Sequence, residues 1–167
     1  MKNPHCMRCG TKLEARDVDD EGVARERMVC PACGWIHYDN PTPVVAAIVE
    51  HRGEIVLVRQ PGWPEKFFGL VTGFLEKDEH PDEAVLREVK EELGLDGVVQ
   101  SFVGHYPFAM RNELLIAYHV RAEGEITLGA ELEAFKRILP EKLRPWPLGT
   151  GFAVRDWLAS RAASIQG

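Results

Sequence analysis

Residues 44–50 and 54–60 are two apolar, largely β-branched runs broken by His51-Arg52-Gly53. They predict two buried strands joined as a hairpin. The apolar run at 67–72 predicts another short strand, reached from the hairpin through a Pro61–Pro64 loop that carries Trp63. The periodicity then changes. Val85, Leu86, Val89 and Leu93 recur at helical spacing, so 81–93 reads as an amphipathic helix. Pro81 suits its first turn, Asp82 and Glu83 complement its positive end, and Gly94 is a natural stop. Strands are expected at 98–106 and 113–121, with a shorter one near 125–128. A second helix is expected over 152–165, with Val154, Trp157, Leu158 and Ile165 on its inner side. The order predicts an α/β fold, a mixed sheet with helices on both faces in an α/β/α sandwich.

Ahead of this pattern lies a stretch without apolar periodicity, and Asn40-Pro41-Thr42-Pro43 separates the two as a stiff, helix-excluding link. Two units are expected, 1–39 and 40–167. The first holds all four cysteines, as Cys6-Met-Arg-Cys9-Gly and Cys30-Pro-Ala-Cys33-Gly. Two Cys-x2-Cys knuckles 20 residues apart match a tetrahedral zinc site with four thiolate ligands. Two disulfides or four buried thiols are the competing readings, and both fit poorly with a chain whose first ten residues are polar and unlike a secretory leader. A zinc ribbon is therefore expected, metal-stabilised because it is too small to bury much apolar surface.

Charge changes the picture in one place. The chain carries a net −6, which disfavours general nucleic-acid binding. Residues 76–92 alone contribute −5. Such a block is ordinarily a solvated helix face. At about 100° per residue, however, Glu88, Glu91 and Glu92 fall within one arc of roughly 100°, beside the apolar flank. Like charges three and four apart weaken a bare helix, so this face calls for a cation. Carboxylate oxygens without His or Cys point to Mg²⁺ or Mn²⁺. No apolar run approaches the roughly 20 residues of a membrane span, and a cytoplasmic protein is expected.

The segment from Gly73 to Leu95 resembles the Nudix signature, G-x5-E-x7-R-E-U-x-E-E-x-G-U with U aliphatic, at every defined position. Seven fixed residues at roughly 6% usage each would coincide by chance in fewer than about one chain in a million. The resemblance implies a hydrolase of nucleoside diphosphate derivatives. It implies Glu88 and Glu92 as principal Mg²⁺ ligands and Glu91 as a further one. It also implies Arg87 paired with Glu79 to hold the loop–helix geometry, and the Gly73 carbonyl near the metal. Asp78 departs from the glycine common there. A catalytic base outside the signature is expected downstream, at Glu131 in preference to Glu133, where residues 124–134 resemble a stretch of the NADH pyrophosphatases.

The ribbon and its link into the second unit are similar to that same branch. Its specificity motif is reduced here to Tyr106-Pro107-Phe108. The resemblance thus implies a small nucleotide substrate of dinucleotide type (NADH, ADP-ribose or FAD) and is compatible with a homodimer. Trp63, Tyr106 and Phe108 are the expected ring-binding residues, with Phe67 and Phe68 as further aromatics and Arg59, Arg111 and Arg121 as candidate phosphate contacts. The competing reading is a nucleic-acid or protein-binding module with a non-catalytic Nudix domain. The intact glutamate set argues against it.

Overall fold

The computed structural model describes residues 5–166, and the side chains through residue 163. Residues 1–4 and the Ile165 side chain lie outside that description. The chain divides into two compact units, 1–40 and 41–167. Among the described residues no helix is long and apolar enough to cross a membrane.

In the first unit, β1 (Glu14–Asp20) and β2 (Val23–Val29) form an antiparallel hairpin, and β3 (Ile36–His37) pairs with the end of β2. Most of the hairpin is exposed. Among its described residues, Cys6, Leu13 and Cys30 form the buried cluster, with Met28 and Trp35 packed against it. The two knuckles are closed alike, the Gly10 amide donating to the Cys6 carbonyl and the Gly34 amide to that of Cys30.

The second unit is built around β4 (Thr42–His51), whose run of Val44–Val49 is wholly buried because both its faces are covered. Val45, Ala47 and Val49 pack with Val85, Val89 and Leu93 of α1 (Pro81–Leu93). Val44, Ala46 and Ile48 pack on the other side with Ala153, Val154 and Trp157 of α2 (Gly151–Gln166). Strand alternation thus sorts one apolar run into two cores, giving the expected α/β/α sandwich.

The sheet is mixed. β8 (Glu113–Glu123) runs parallel to β4 along its whole length, and β7 (Asp96–Phe108) lies antiparallel outside it. The other edge of β4 is shared. β6 (Val71–Phe74) pairs with residues 44–47, and β5 (Glu54–Arg59) pairs with residues 49–51. β9 (Ala134–Ile138) extends the sheet beyond β5.

Two strand expectations need correction, and one strand lies outside them. The run expected at 67–72 is not one strand. Gly69 makes a single bridge to Val58, and β6 begins only at Val71. Residues 125–128 form no strand, because their amides serve another purpose: Thr127 donates to the Leu93 carbonyl and Gly129 to that of Glu92, each at 2.9 Å. These bonds occupy carbonyls that the end of α1 leaves without helical partners. The strand that follows is instead β9, which had not been anticipated.

Candidate active site

Gly73 at the end of β6 meets Glu88 on α1 so closely that a Cβ there would lie 1.9 Å from the Glu88 carboxyl carbon. Only glycine permits this approach of backbone to carboxylate. The helix then presents Glu88, Glu91 and Glu92 to a cleft of about 640 Å³, whose wall also includes Gly73, Arg87 and Glu131. Glu131 arrives there because the Thr127 and Gly129 amides fasten its loop to the end of the same helix.

Arg87 organises the near side. Its Nε and Nη2 donate to the two Glu79 oxygens at 2.7 and 3.0 Å, a bidentate fork. Its Nη1 donates to Glu88 at 2.6 Å and to Glu91 at 3.0 Å, and Nη2 also reaches the Phe74 carbonyl. Glu79 accepts the Glu76 amide as well. The Arg87 fork, followed by that amide, holds the Glu79 carboxyl below its ordinary value. Glu79 and Arg87 therefore form a brace between loop and helix.

Glu92 behaves oppositely. Its side chain is 4% exposed, and neither oxygen has a hydrogen-bond partner. Burial, then the charges of Glu88, Glu131 and Glu91, pushes it up to about 8. Burial also raises Glu88, although Arg87 opposes the shift. A buried carboxylate without a donor is costly unless a cation neutralises it. The expected donor set is all oxygen, the Glu88, Glu91 and Glu92 carboxylates and the Gly73 carbonyl, and it fits a hard divalent ion.

Beside this cleft lies a smaller pocket of about 230 Å³ with aromatic walls, Trp63, Phe67, Phe108 and Trp146. The two cavities share Val44, Trp63, Thr72, Arg111 and Glu113, so they adjoin. Trp63 and Phe108 thus stand where a ring-binding residue could act. Tyr106 does not. It is buried in the core beneath α2, with its hydroxyl donating to Asp156 at 2.9 Å, and it lines neither cavity. Phe68 lies under Arg59 and Lys136. Glu133 faces Arg59 at 3.4 Å and does not line the cleft. Trp146 was missed from sequence, although a tryptophan between Pro145 and Pro147 has neither strand nor helix to account for it.

In the first unit the four cysteine sulfurs lie within 4.8 Å of one another. The nearest pairs, Cys9–Cys30, Cys6–Cys33 and Cys9–Cys33, are separated by 3.4, 3.6 and 3.7 Å. All four are free thiols. The spacing is far longer than a disulfide. It is close to the ~3.8 Å edge of a tetrahedron with bonds of about 2.3 Å to zinc.

Comparison with known proteins gives the class. Residues 40–157 match the NUDIX domain, and residues 4–39 match the Nudix N-terminal zinc-ribbon family. The chain belongs to the Nudix hydrolase family. Among its relatives, the NAD-capped RNA hydrolase NudC of Pseudomonas aeruginosa is 30% identical over 126 residues, which are 74% of this chain and 43% of NudC. The mitochondrial NAD(P)H pyrophosphatase NUDT13 of Mus musculus is 35% identical over 101 residues, 59% and 28% of the two chains. The chain thus spans less than half the length of these curated relatives. A NUDIX hydrolase structure from Nitrosomonas europaea superimposes with a TM-score of 0.79, covering 96% of this chain and 93% of its own at 21% identity. An ADP-ribose pyrophosphatase from Streptococcus suis gives 0.60 at 23% identity, covering 73% and 92%. At such identities the likeness establishes the fold.

Proposed function

We propose that this chain hydrolyses the pyrophosphate bond of a nucleoside diphosphate derivative of dinucleotide type, the NADH, ADP-ribose or FAD class, with Mg²⁺ or Mn²⁺. The observation that carries this is Glu92, a buried carboxylate with two unpartnered oxygens at the centre of an acidic cleft. Glu88, Glu91 and Glu92, with the Gly73 carbonyl, would hold the metal. When bound, divalent cations supply the charge that lets phosphate oxygens enter an acidic site and that acidifies water.

The chain's own groups account for the rest. Glu79 and Arg87 fix the distance between β6 and α1, so that the Gly73 carbonyl and Glu88 stay together. Glu131, exposed at the mouth of the cleft, would take the proton of the attacking water. Arg111, at the neck between the two cavities, would meet a phosphate. Trp63 and Phe108 would flank a ring. We assign residues 40–167 to this catalytic domain and residues 1–39 to a ribbon in which Cys6, Cys9, Cys30 and Cys33 hold one Zn²⁺ for structure.

The names of the NudC relatives favour a second substrate, the NAD cap of an RNA. Incubating the purified chain with Mg²⁺ and a panel of NADH, ADP-ribose, FAD, NAD-capped RNA and nucleoside triphosphates tests both readings. Metal-dependent release of a mononucleotide from a dinucleotide-type substrate is expected. Equal kcat/KM for GTP and NADH would overturn the substrate class, and turnover in EDTA would overturn the metal assignment.

A further inference from the structure

The aromatic pocket holds one carboxylate without a partner. Glu113, the first residue of β8, lines both cavities, and no side-chain hydrogen bond or ion pair engages it among the described residues. It comes from β8, which β4 separates from β6 and its Gly73. With Trp63, Thr72 and Arg111 it lines both cavities, so the carboxylate stands where the cleft passes into the aromatic pocket.

That pocket is preformed and small. Trp63 lies so close over Gly69 that a Cβ there would meet its ring at 3.1 Å. Phe67 packs against Trp63 at 5.0 Å between ring centres, and Trp146 stands edge-on to Phe67 at 6.4 Å. A volume of about 230 Å³ falls below the roughly 300–1,000 Å³ typical of sites for drug-sized ligands, so it suits one ring system. A flat ring entering between these walls can stack, and stacking is indifferent to which base is present. Discrimination has to come from an edge. An ionised carboxylate accepts hydrogen bonds and donates none, so it favours N–H and disfavours a bare lone pair or C–H.

We propose that Glu113 is the specificity-determining residue of this pocket, selecting substrates whose ring presents an N–H donor on its edge, such as the amino group of adenine or the carboxamide of nicotinamide. This rests on the proposed function, in that the ring belongs to the nucleotide whose pyrophosphate lies in the acidic cleft. A site built to bond a donor rejects the analogue lacking it far more strongly than an apolar pocket rejects a missing methylene.

The test needs no turnover. The full chain, with Mg²⁺, is titrated with AMP and with purine riboside 5′-monophosphate, which lacks only the amino group and, like AMP, has no pyrophosphate bond to cleave, and quenching of tryptophan fluorescence is followed. AMP is expected to bind at least tenfold more tightly, and the ratio is expected to fall within threefold in E113A, which removes the acceptor. Equal binding of the two ligands by the wild-type chain, quenching by neither, or an unchanged ratio in E113A would each overturn the assignment. The parallel kcat/KM ratio for ADP-ribose and its purine-riboside analogue with Mg²⁺ separates the two proposals. Selective binding without cleavage refutes the hydrolase reading and leaves the pocket assignment standing.

Discussion

The two units of this chain answer the same problem, how to hold a few side chains in a fixed arrangement, in opposite ways. The ribbon has almost no core. Cys6, Leu13 and Cys30 are its buried cluster, and two of those three are among the residues that converge on one point. The second unit has a core on each face of its sheet, and its acidic cluster sits at the margin of one of them. On the proposed reading, a metal would stand in for a core in the ribbon. In the other unit an existing core would bear the electrostatic cost of keeping carboxylates ready for a metal. A cation among anionic ligands would thus serve folding in one case and chemistry in the other.

The largest effect that could break this contrast lies in the ribbon. Structural zinc is worth roughly 10–16 kcal/mol in small zinc modules. Replacing Cys30 and Cys33 with Ser should release about one zinc per chain and abolish amide protection across residues 14–37. Residues 44–123 should keep theirs. Hydrogen exchange with metal analysis reads both, and a ribbon that stays protected without metal would erase the distinction.

Next is the acidic cleft. E88Q or E92Q should lower kcat by on the order of 10²–10³, the range for losing one key electrostatic element. Folding should be intact, since each change removes charge from a crowded helix face. A cooperative melt beside the kinetics shows both, and wild-type turnover in E88Q/E92Q would sink the metal-ligand assignment.

The cost borne by the core can be sharpened by pH. Burial raises the Glu92 carboxyl from its ordinary value to about 8, and Glu88 shifts in the same direction. Over that window the folded state binds more protons than the unfolded state, so stability falls as pH rises. The metal-free protein should therefore melt at progressively lower temperature between about pH 5 and 8. E92Q should flatten the slope, and Mg²⁺ should restore stability mainly at the alkaline end. A melting temperature that rises steadily across this range would contradict the picture.

The smallest effect concerns Tyr106. Its hydroxyl joins β7 to Asp156 on α2, so Y106F should cost about 1 kcal/mol, reduced from the value for a fully buried charged partner because Asp156 is partly exposed. KM for a dinucleotide should not change. A raised KM with unaltered stability would return Tyr106 to the ring-binding role that the sequence suggested.

That last case shows where legibility ended. Helix α1 was readable to the residue because its periodicity, Pro81 and Gly94 all agree, and the spacing of Glu88, Glu91 and Glu92 placed them on one face. The Cys-x2-Cys pairs were legible for the same reason, since local spacing dictates local geometry. Tyr106 and Phe108 have the same parity along β7, and both pack toward the α2 side. Which of them also borders a cavity depends on Trp146 and Gly149, some forty residues away, and no local pattern reports that. Residues 125–128 misled because their extended character serves the end of a helix and not a neighbouring strand. β9 was hidden by two exposed basic residues, Lys136 and Arg137, which a short edge strand tolerates.

The Thr127 and Gly129 amides that close the end of α1 have a consequence for how this molecule can be remodelled. The polypeptide leaves the helix at Gly94, makes the long excursion of β7 and β8, and comes back to the point of departure before it delivers Glu131. The hairpin tip between those strands, at residues 109–112, is therefore independent of the clasp that delivers Glu131, although it carries Arg111 of the cleft and its Asn112 carbonyl accepts the Thr42 amide. Residues 109 and 110 can be varied or lengthened while both ends of the excursion stay anchored. Breaking the two hydrogen bonds of the clasp, by contrast, would uncouple Glu131 from Glu92 even with every carboxylate present. An engineer seeking new substrates would rebuild residues 109 and 110 and leave the clasp untouched.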